Sequence, residues 1–253
     1  AGTALGYVYA FAVTRIALPS WVKWLLGAVT ILPLISPPFT SSIALTLSLG
    51  PNGILLKFFG IENFNFYGFW GTWISETLTY FPISFMTMAA VLSAVDPNLE
   101  DAALSLGASP GRVFPLSIPG IANSVLLLFA GSLADFATPL VLAGHNFPVL
   151  PTQAYLQITG LYDFRGGAGL SFLLLVPAMA VYILQRFWVG KKSYVTISGK
   201  TGSRSVFKSK GKLAERLVAG MCFFVTAFIL YLYSLILMGA LVKVWGVDNS
   251  LTL

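Results

Sequence analysis

Carboxylates, imidazoles and thiols carry most protein chemistry, and this sequence holds few of them in suggestive places. Glu76 and Asp135 each interrupt a long apolar run. A carboxylate at the middle of a bilayer costs roughly 2.5–3.5 kcal/mol on insertion scales, so each needs a compensating contact. Two roles offset that cost: a structural hydrogen bond to a neighbouring helix, or a post on a gate or path through the membrane. The single histidine, His145, excludes a histidine cluster. Lying at a span end, it reads as a surface residue. The single cysteine, Cys222, excludes an internal disulfide framework and a cysteine-rich metal site. It reads as a small buried hydrophobe. Gly199-Lys200-Thr201 resembles the tail of a phosphate loop, but that pattern needs an earlier glycine where Tyr194 stands. No nucleophile is paired with a base, so no catalytic residue is assigned and the chain is not read as an enzyme.

The elements that position these residues follow from composition. Of 253 residues, 57% are hydrophobic and 9% charged, with a mean hydropathy of +0.82. Soluble domains carry roughly 25% charged residues, and disorder needs low hydrophobicity with high charge. Both classes are excluded. Apolar runs span residues 1–14, 24–56, 64–95, 118–144, 167–184 and 217–242. A helix needs about 20 apolar residues to cross the hydrocarbon core, and a strand barrel would alternate instead. The fold class is therefore all-α, a polytopic transmembrane bundle of six crossings whose first lacks its start. The abrupt ends at Ala1 and Leu253 read as those of a fragment. Pro33, Pro37 and Pro38 bend the second span. A kinked packing helix and a flexible wall of a transport path both fit that bend.

Alternating the loops across six crossings puts 12 of the 15 Lys and Arg residues on one side, Arg15, Lys23 and Arg112 among them. Lys57, Arg165 and Lys243 fall on the other. The positive-inside rule makes the first side cytoplasmic. The net charge of +6 is thus a topology effect, and no nucleic-acid partner is needed. Residues 190–213, rich in Lys, Ser and Gly, form a cytoplasmic linker before the sixth crossing. Its run Lys208-Ser-Lys210-Gly-Lys212 suits anionic lipid headgroups as well.

One cytoplasmic loop, residues 96–114, is built like a helix. Asp96-Pro97 supplies an N-cap with proline at the first helical position. Gly107 stands where a terminating glycine belongs. Leu99, Ala102, Ala103 and Leu106 make one apolar face. Glu100 and Asp101 favour the positive end of the helix. Such a helix can lie on lipid, pad its own domain, or dock in a groove of another protein. Two alanines make a poor lipid anchor and a good knob.

This loop resembles the EAA loop of ABC importer permeases, the membrane subunits of binding-protein-dependent uptake systems. Asp101-Ala102-Ala103 and Gly107 match its first half, with Asp in place of Glu, and Ile118-Pro119 resembles its close, one residue early. The resemblance covers residues 1–189, including a G-x-x-x-A-like first span and the proline-rich second span. It implies a type I importer bundle in a bacterial or archaeal plasma or inner membrane. There, a short cytoplasmic coupling helix docks on a cytoplasmic ABC ATPase dimer. Asp101, Ala102, Ala103 and Gly107 would be the docking core, flanked by Glu100 and Arg112. ATP-Mg would sit on that partner, with no cofactor on this chain. An extracytoplasmic solute-binding protein would deliver cargo, and a second permease half would complete the path through the lipid bilayer.

A narrower resemblance is to ferric iron permeases, in which two permease repeats are fused. Asp135-Phe136-Ala137-Thr138-Pro139 is similar to their D-F-G-T-P stretch, with Ala137 where Gly is usual. Residues 244–253 resemble the start of their second half. The implied organisation is a first permease domain over 1–189, a linker over 190–213, and the first helix of a second repeat over 214–253. Ferric iron is then the expected cargo; aminoethylphosphonate, thiamine, polyamine and sulfate importers share much of the pattern. Ferric iron favours hard oxygen ligands, and Asp163, Tyr155, Tyr162 and Tyr67 lie on the outer side. They read as members of an interfacial belt, like the aromatic run 64–73, and no metal site is assigned. The rivals are an ion-coupled secondary transporter working through Asp135 and Glu76, and a structural membrane subunit of a larger complex.

Overall fold

The computed structural model describes residues 1–37, 39–61, 64–94, 113–144, 147–189, 212–245 and 247–251. In chain order the helices are α1 Gly2–Arg15, α2 Ser20–Ile35, α3 Thr40–Leu49, α4 Ile54–Phe58, α5 Phe69–Ala94, α6 Val113–Ala134, α7 Ala137–Leu142, α8 Leu150–Thr159, α9 Phe164–Leu184 and α10 Lys212–Leu241. A π-helical turn, Gln185–Val189, extends α9. Strands β1 Val242–Val244 and β2 Asp248–Leu251 follow α10 as an antiparallel pair, with Val242 opposite Leu251 and Val244 opposite Asp248.

Among the described residues, Phe69–Ala94, Ser117–Ala134, Phe164–Phe187 and Leu213–Leu241 are long and apolar enough to cross a membrane. Ser20–Ile35 with Thr40–Phe58 makes a fifth if the broken pair is one span. The 14 residues of α1 reach about 21 Å at 1.5 Å per residue, short of a hydrocarbon core of about 30 Å.

Three expectations change in detail. The second span begins at Ser20, so Lys23 lies inside α2 rather than before it, and the span is divided between Ile35 and Thr40. The fourth is not one helix interrupted by a carboxylate: α6 ends at Ala134 and α7 begins at Ala137. Hydropathy registers the missing charges but not these breaks. The β1–β2 pair is a small addition to an all-helical chain; Val242 and Val244 favour extended backbone.

The chain divides into two compact units. One comprises residues 1–31, 81–130 and 180–226. Here small residues let α1 approach α5 and α6: a β-carbon on Gly6 would meet the Phe85 backbone nitrogen of α5 at 2.6 Å, and one on Gly2 would meet Leu128 of α6 at 2.7 Å. The Ser84 hydroxyl donates to the Thr3 carbonyl (3.2 Å). The fully buried Tyr9 ring lies 5.4 Å from Phe81 and 6.4 Å from Phe85. Its hydroxyl donates to the Cys222 carbonyl (2.7 Å) and pairs with the Thr226 hydroxyl (2.8 Å). Gly120 brings α6 against Met88 and Val91 of α5. The Gln185 amide donates to Asn123 Oδ1 (3.0 Å).

The other unit comprises residues 32–80, 131–179 and 227–253. Ser42 on α3 pairs with Ser75 on α5 (3.2 Å). Two tyrosines of α10 reach serines: Tyr231 pairs with Ser48 (3.2 Å), and Tyr233 with Ser36. The Trp245 indole donates to the Leu47 carbonyl (3.1 Å). The Gly68 amide, at φ 100°, donates to the Leu142 carbonyl (2.7 Å), tying the start of α5 to the end of α7.

Hydroxyls within helices mostly satisfy themselves. Thr14, Thr30, Thr46, Thr72, Thr87 and Ser171 each donate to the carbonyl four residues back. That bond removes a donor from an apolar surrounding without a tertiary partner.

Candidate functional site

The two membrane carboxylates lie in the same unit, Glu76 on α5 and Asp135 at the break between α6 and α7, and each has a partner. Glu76, half-buried on α5, accepts a hydrogen bond from the Ser132 hydroxyl of α6. Tyr80, one helical turn beyond Glu76, packs its ring against Gly131, where a β-carbon would stand 2.9 Å from Cε1. Its hydroxyl is turned toward Asp135. Glu76, Tyr80, Ser132 and Asp135 thus form one polar patch within this unit.

Asp135 does not sit within a helix. Its amide donates to the Ser132 carbonyl (3.2 Å), tightening the end of α6. Its Oδ1 then accepts from the amides of Ala137 (2.9 Å) and Thr138 (3.2 Å), the first residues of α7. These are orphan donors at a helix N-terminus, where the dipole also favours negative charge. The carboxylate is 8% exposed. Close by, the Thr138 hydroxyl is fully buried and has no hydrogen-bond partner among the described residues. Phe136, at the break, stacks on Tyr155 of α8 with centroids 5.2 Å apart. The Thr152 hydroxyl reaches the Phe136 carbonyl at 3.5 Å.

Of the oxygen-bearing residues named above, Asp163 and Tyr155 have local partners. Asp163 Oδ1 accepts from the Gly166 amide (2.9 Å) at the start of α9. Tyr155 belongs to the stack on Phe136. Tyr162 is exposed at φ 55°, and Tyr67 takes its place through its amide on Asn65 Oδ1 (3.1 Å). Among the described residues, no three His, Cys, Asp or Glu side chains converge as a metal group would require. Cys222 is fully buried. In the aromatic run, Phe64, Phe69, Trp70 and Trp73 are exposed while Phe66 is buried.

Glu100, Asp101, Ala102, Ala103, Gly107 and Arg112 lie outside the described residues, as do His145, Gly199, Lys200 and Thr201. The segment that carries the first six leaves from Ala94 at the end of α5 and returns at Val113. Sequence reasoning singled out Glu76 and Asp135 but not Ser132, Tyr80 or Gly131. Helical spacing could have suggested two of these, since Tyr80 follows Glu76 by one turn and Ser132 precedes Asp135 by three residues.

Comparison with known proteins gives this arrangement a family. Residues 2–193 match the model of the binding-protein-dependent transport system inner membrane component. A putative ferric transport system permease protein FbpB 1 of Haemophilus influenzae is 38% identical over 99% of this chain and 41% of its own length. The ferric transport system permease protein FbpB of Actinobacillus pleuropneumoniae is 37% identical over 99% and 38%. The molybdenum transport system permease protein ModB of Escherichia coli is 31% identical over 74% of this chain and 85% of its own length. The chain spans about two fifths of the ferric relatives. With a match that takes in α1 through α9 and with helices able to cross a membrane, the chain belongs to the binding-protein-dependent transport system inner membrane components, a family of multi-pass membrane transport permeases.

Proposed function

We propose that this chain is part of the permease of an ATP-driven ABC importer that moves ferric iron into the cytoplasm. The likeness of 99% of the chain to two ferric transport permeases carries the reading. In it, residues 1–189 form the first permease domain, 190–213 the cytoplasmic linker, and 214–253 the first helix of a second repeat. Asp101, Ala102, Ala103 and Gly107, with Glu100 and Arg112 beside them, dock on a cytoplasmic ABC ATPase dimer. ATP-Mg is bound and hydrolysed on that dimer. A solute-binding protein delivers cargo from outside, and a second permease half completes the path.

Asp135 and Glu76 serve that path. Non-helical backbone at membrane depth is tolerated where it is buried or lines a cavity. The break at Asp135–Phe136 fits a point where α6 and α7 change angle as the permease opens. The capping bonds of Asp135 hold that break in shape, and Glu76 with Ser132 fixes the facing stretch of α5. The likeness to a molybdenum permease supports oxyanion import as a second reading.

The test uses the full-length parent protein, purified with its candidate ATPase, as wild type and as Gly107→Pro. Retention of the ATPase by wild type and its loss in the variant support the coupling assignment. Failure of wild type to retain an ATPase in mild detergent overturns it. Uptake of radiolabelled ferric iron against molybdate by proteoliposomes then separates the two cargoes.

A further inference from the structure

The last four carbonyls of a helix have no partner inside it. Leu92 lies in the last described turn of α5, and its carbonyl accepts from Arg15, whose Nη2 lies 2.8 Å away. Arg15 is itself the last residue of α1 and is 8% exposed. The last residue of α1 thus places its guanidinium on a carbonyl near the end of α5, where the dipole favours a cation. The bond closes a seam that runs the length of α1. Gly2 and Gly6 bring the backbones together, Tyr9 packs on Phe81 and Phe85, and Arg15 fixes the far end. Two residues past Leu92, α5 ends and the 95–112 segment begins. The returning helix, α6, is held against the same part of α5 at Gly120.

We propose that Arg15 is a positioning residue for coupling: its bond to Leu92 makes the end of α5 rigid with α1, so that a push on residues 95–112 moves both helices together. The proposal rests on the reading above, in which that segment meets an ATPase. Without the bond, the last described turn of α5 loses its tie to α1 and frays. A push is then spent on unwinding that turn. Charge on the loop side of the membrane would explain any cation near position 15, but not its burial on a helix carbonyl.

The test uses the full-length parent with its ATPase in nanodiscs, as wild type, Arg15→Met and Arg15→Lys. Both variants are expected to retain the ATPase. In Arg15→Met, cargo moved per ATP hydrolysed falls several-fold, and amide exchange over residues 88–94 quickens while the rest of α5 stays protected. Arg15→Lys, which keeps the charge without the guanidinium fork, lies between. Unchanged transport per ATP together with unchanged exchange in Arg15→Met overturns the proposal. Should Arg15→Met fail to fold, wild-type behaviour of Arg15→Lys in both readouts overturns it instead. An ATPase not retained by wild type overturns the underlying reading, and the exchange result still reports on the Arg15–Leu92 bond.

Discussion

Asp135 is held by two amides that follow it by two and three residues, so its position is fixed by its own stretch of chain. Removing the acceptor in Asp135→Ala should cost about 0.5–2 kcal/mol, as for other helix-start residues. Asp135→Asn keeps an oxygen in the same place and should unfold near the wild-type temperature in detergent. Cargo uptake by Asp135→Asn then isolates the charge: loss of uptake with stability intact assigns it to the path, and full uptake restricts Asp135 to capping. Glu76→Gln likewise keeps an acceptor for Ser132 and should change thermal stability little. The sequence marked both carboxylates as needing partners. Those of Asp135 were within reach, because an acidic residue just before Ala137-Thr138-Pro139 reads as the start of a helix. Ser132 lies 56 residues from Glu76, and no local pattern connects them.

Elements meet where small residues allow it. Gly6→Val would drive a side chain into Ser84 and the Phe85 backbone. Overpacking of this kind costs typically about 1–3 kcal/mol, and more where backbone must shift. The expected result is a lowered unfolding temperature and protease cleavage at the ends of α1. Gly27→Ala is the control, because a β-carbon there meets nothing within 4 Å. Helix propensity alone should then make Gly27→Ala neutral or stabilising by up to about 1 kcal/mol. Tyr9→Phe removes a hydroxyl bonded to Cys222 and Thr226 and should cost about 0.5–1.5 kcal/mol, read in the same unfolding assay. The helices themselves were legible as apolar gaps. Their division at Ile35 and Ala134 was only half legible: the prolines marked the first break. The second was passed over: Asp135 reads as an intruder in one span, although a helix-start signal lies in Asp135 and Ala137-Thr138-Pro139.

For the whole molecule, the distribution of cations predicts which loops face inward. Ser205→Cys, in a cysteine-free background of the parent protein, should be labelled by an impermeant maleimide only after the membrane is opened. Tyr162→Cys should react in intact cells. The reverse pattern would invert every loop assignment. Composition sufficed for the membrane class, and Asp101-Ala102-Ala103 with Gly107 pointed to the family that residues 2–193 match. The pairing of α10 with Tyr9, Ser36 and Ser48 was not legible, since these bonds join residues about 180 to 220 positions apart and charge patterning sees only neighbours.

The self-bonded threonines bear on how the chain enters the membrane during synthesis. Each such threonine arrives with its hydroxyl already paired inside its own helix. Tyr9 cannot be completed in this way, because its partner Cys222 follows 213 residues later. At about 5–20 residues per second that is roughly 10–40 s of translation. Glu76 waits a shorter time for Ser132. The bonds that tie α10 to the earlier helices therefore form only after it has arrived, on partners already in place.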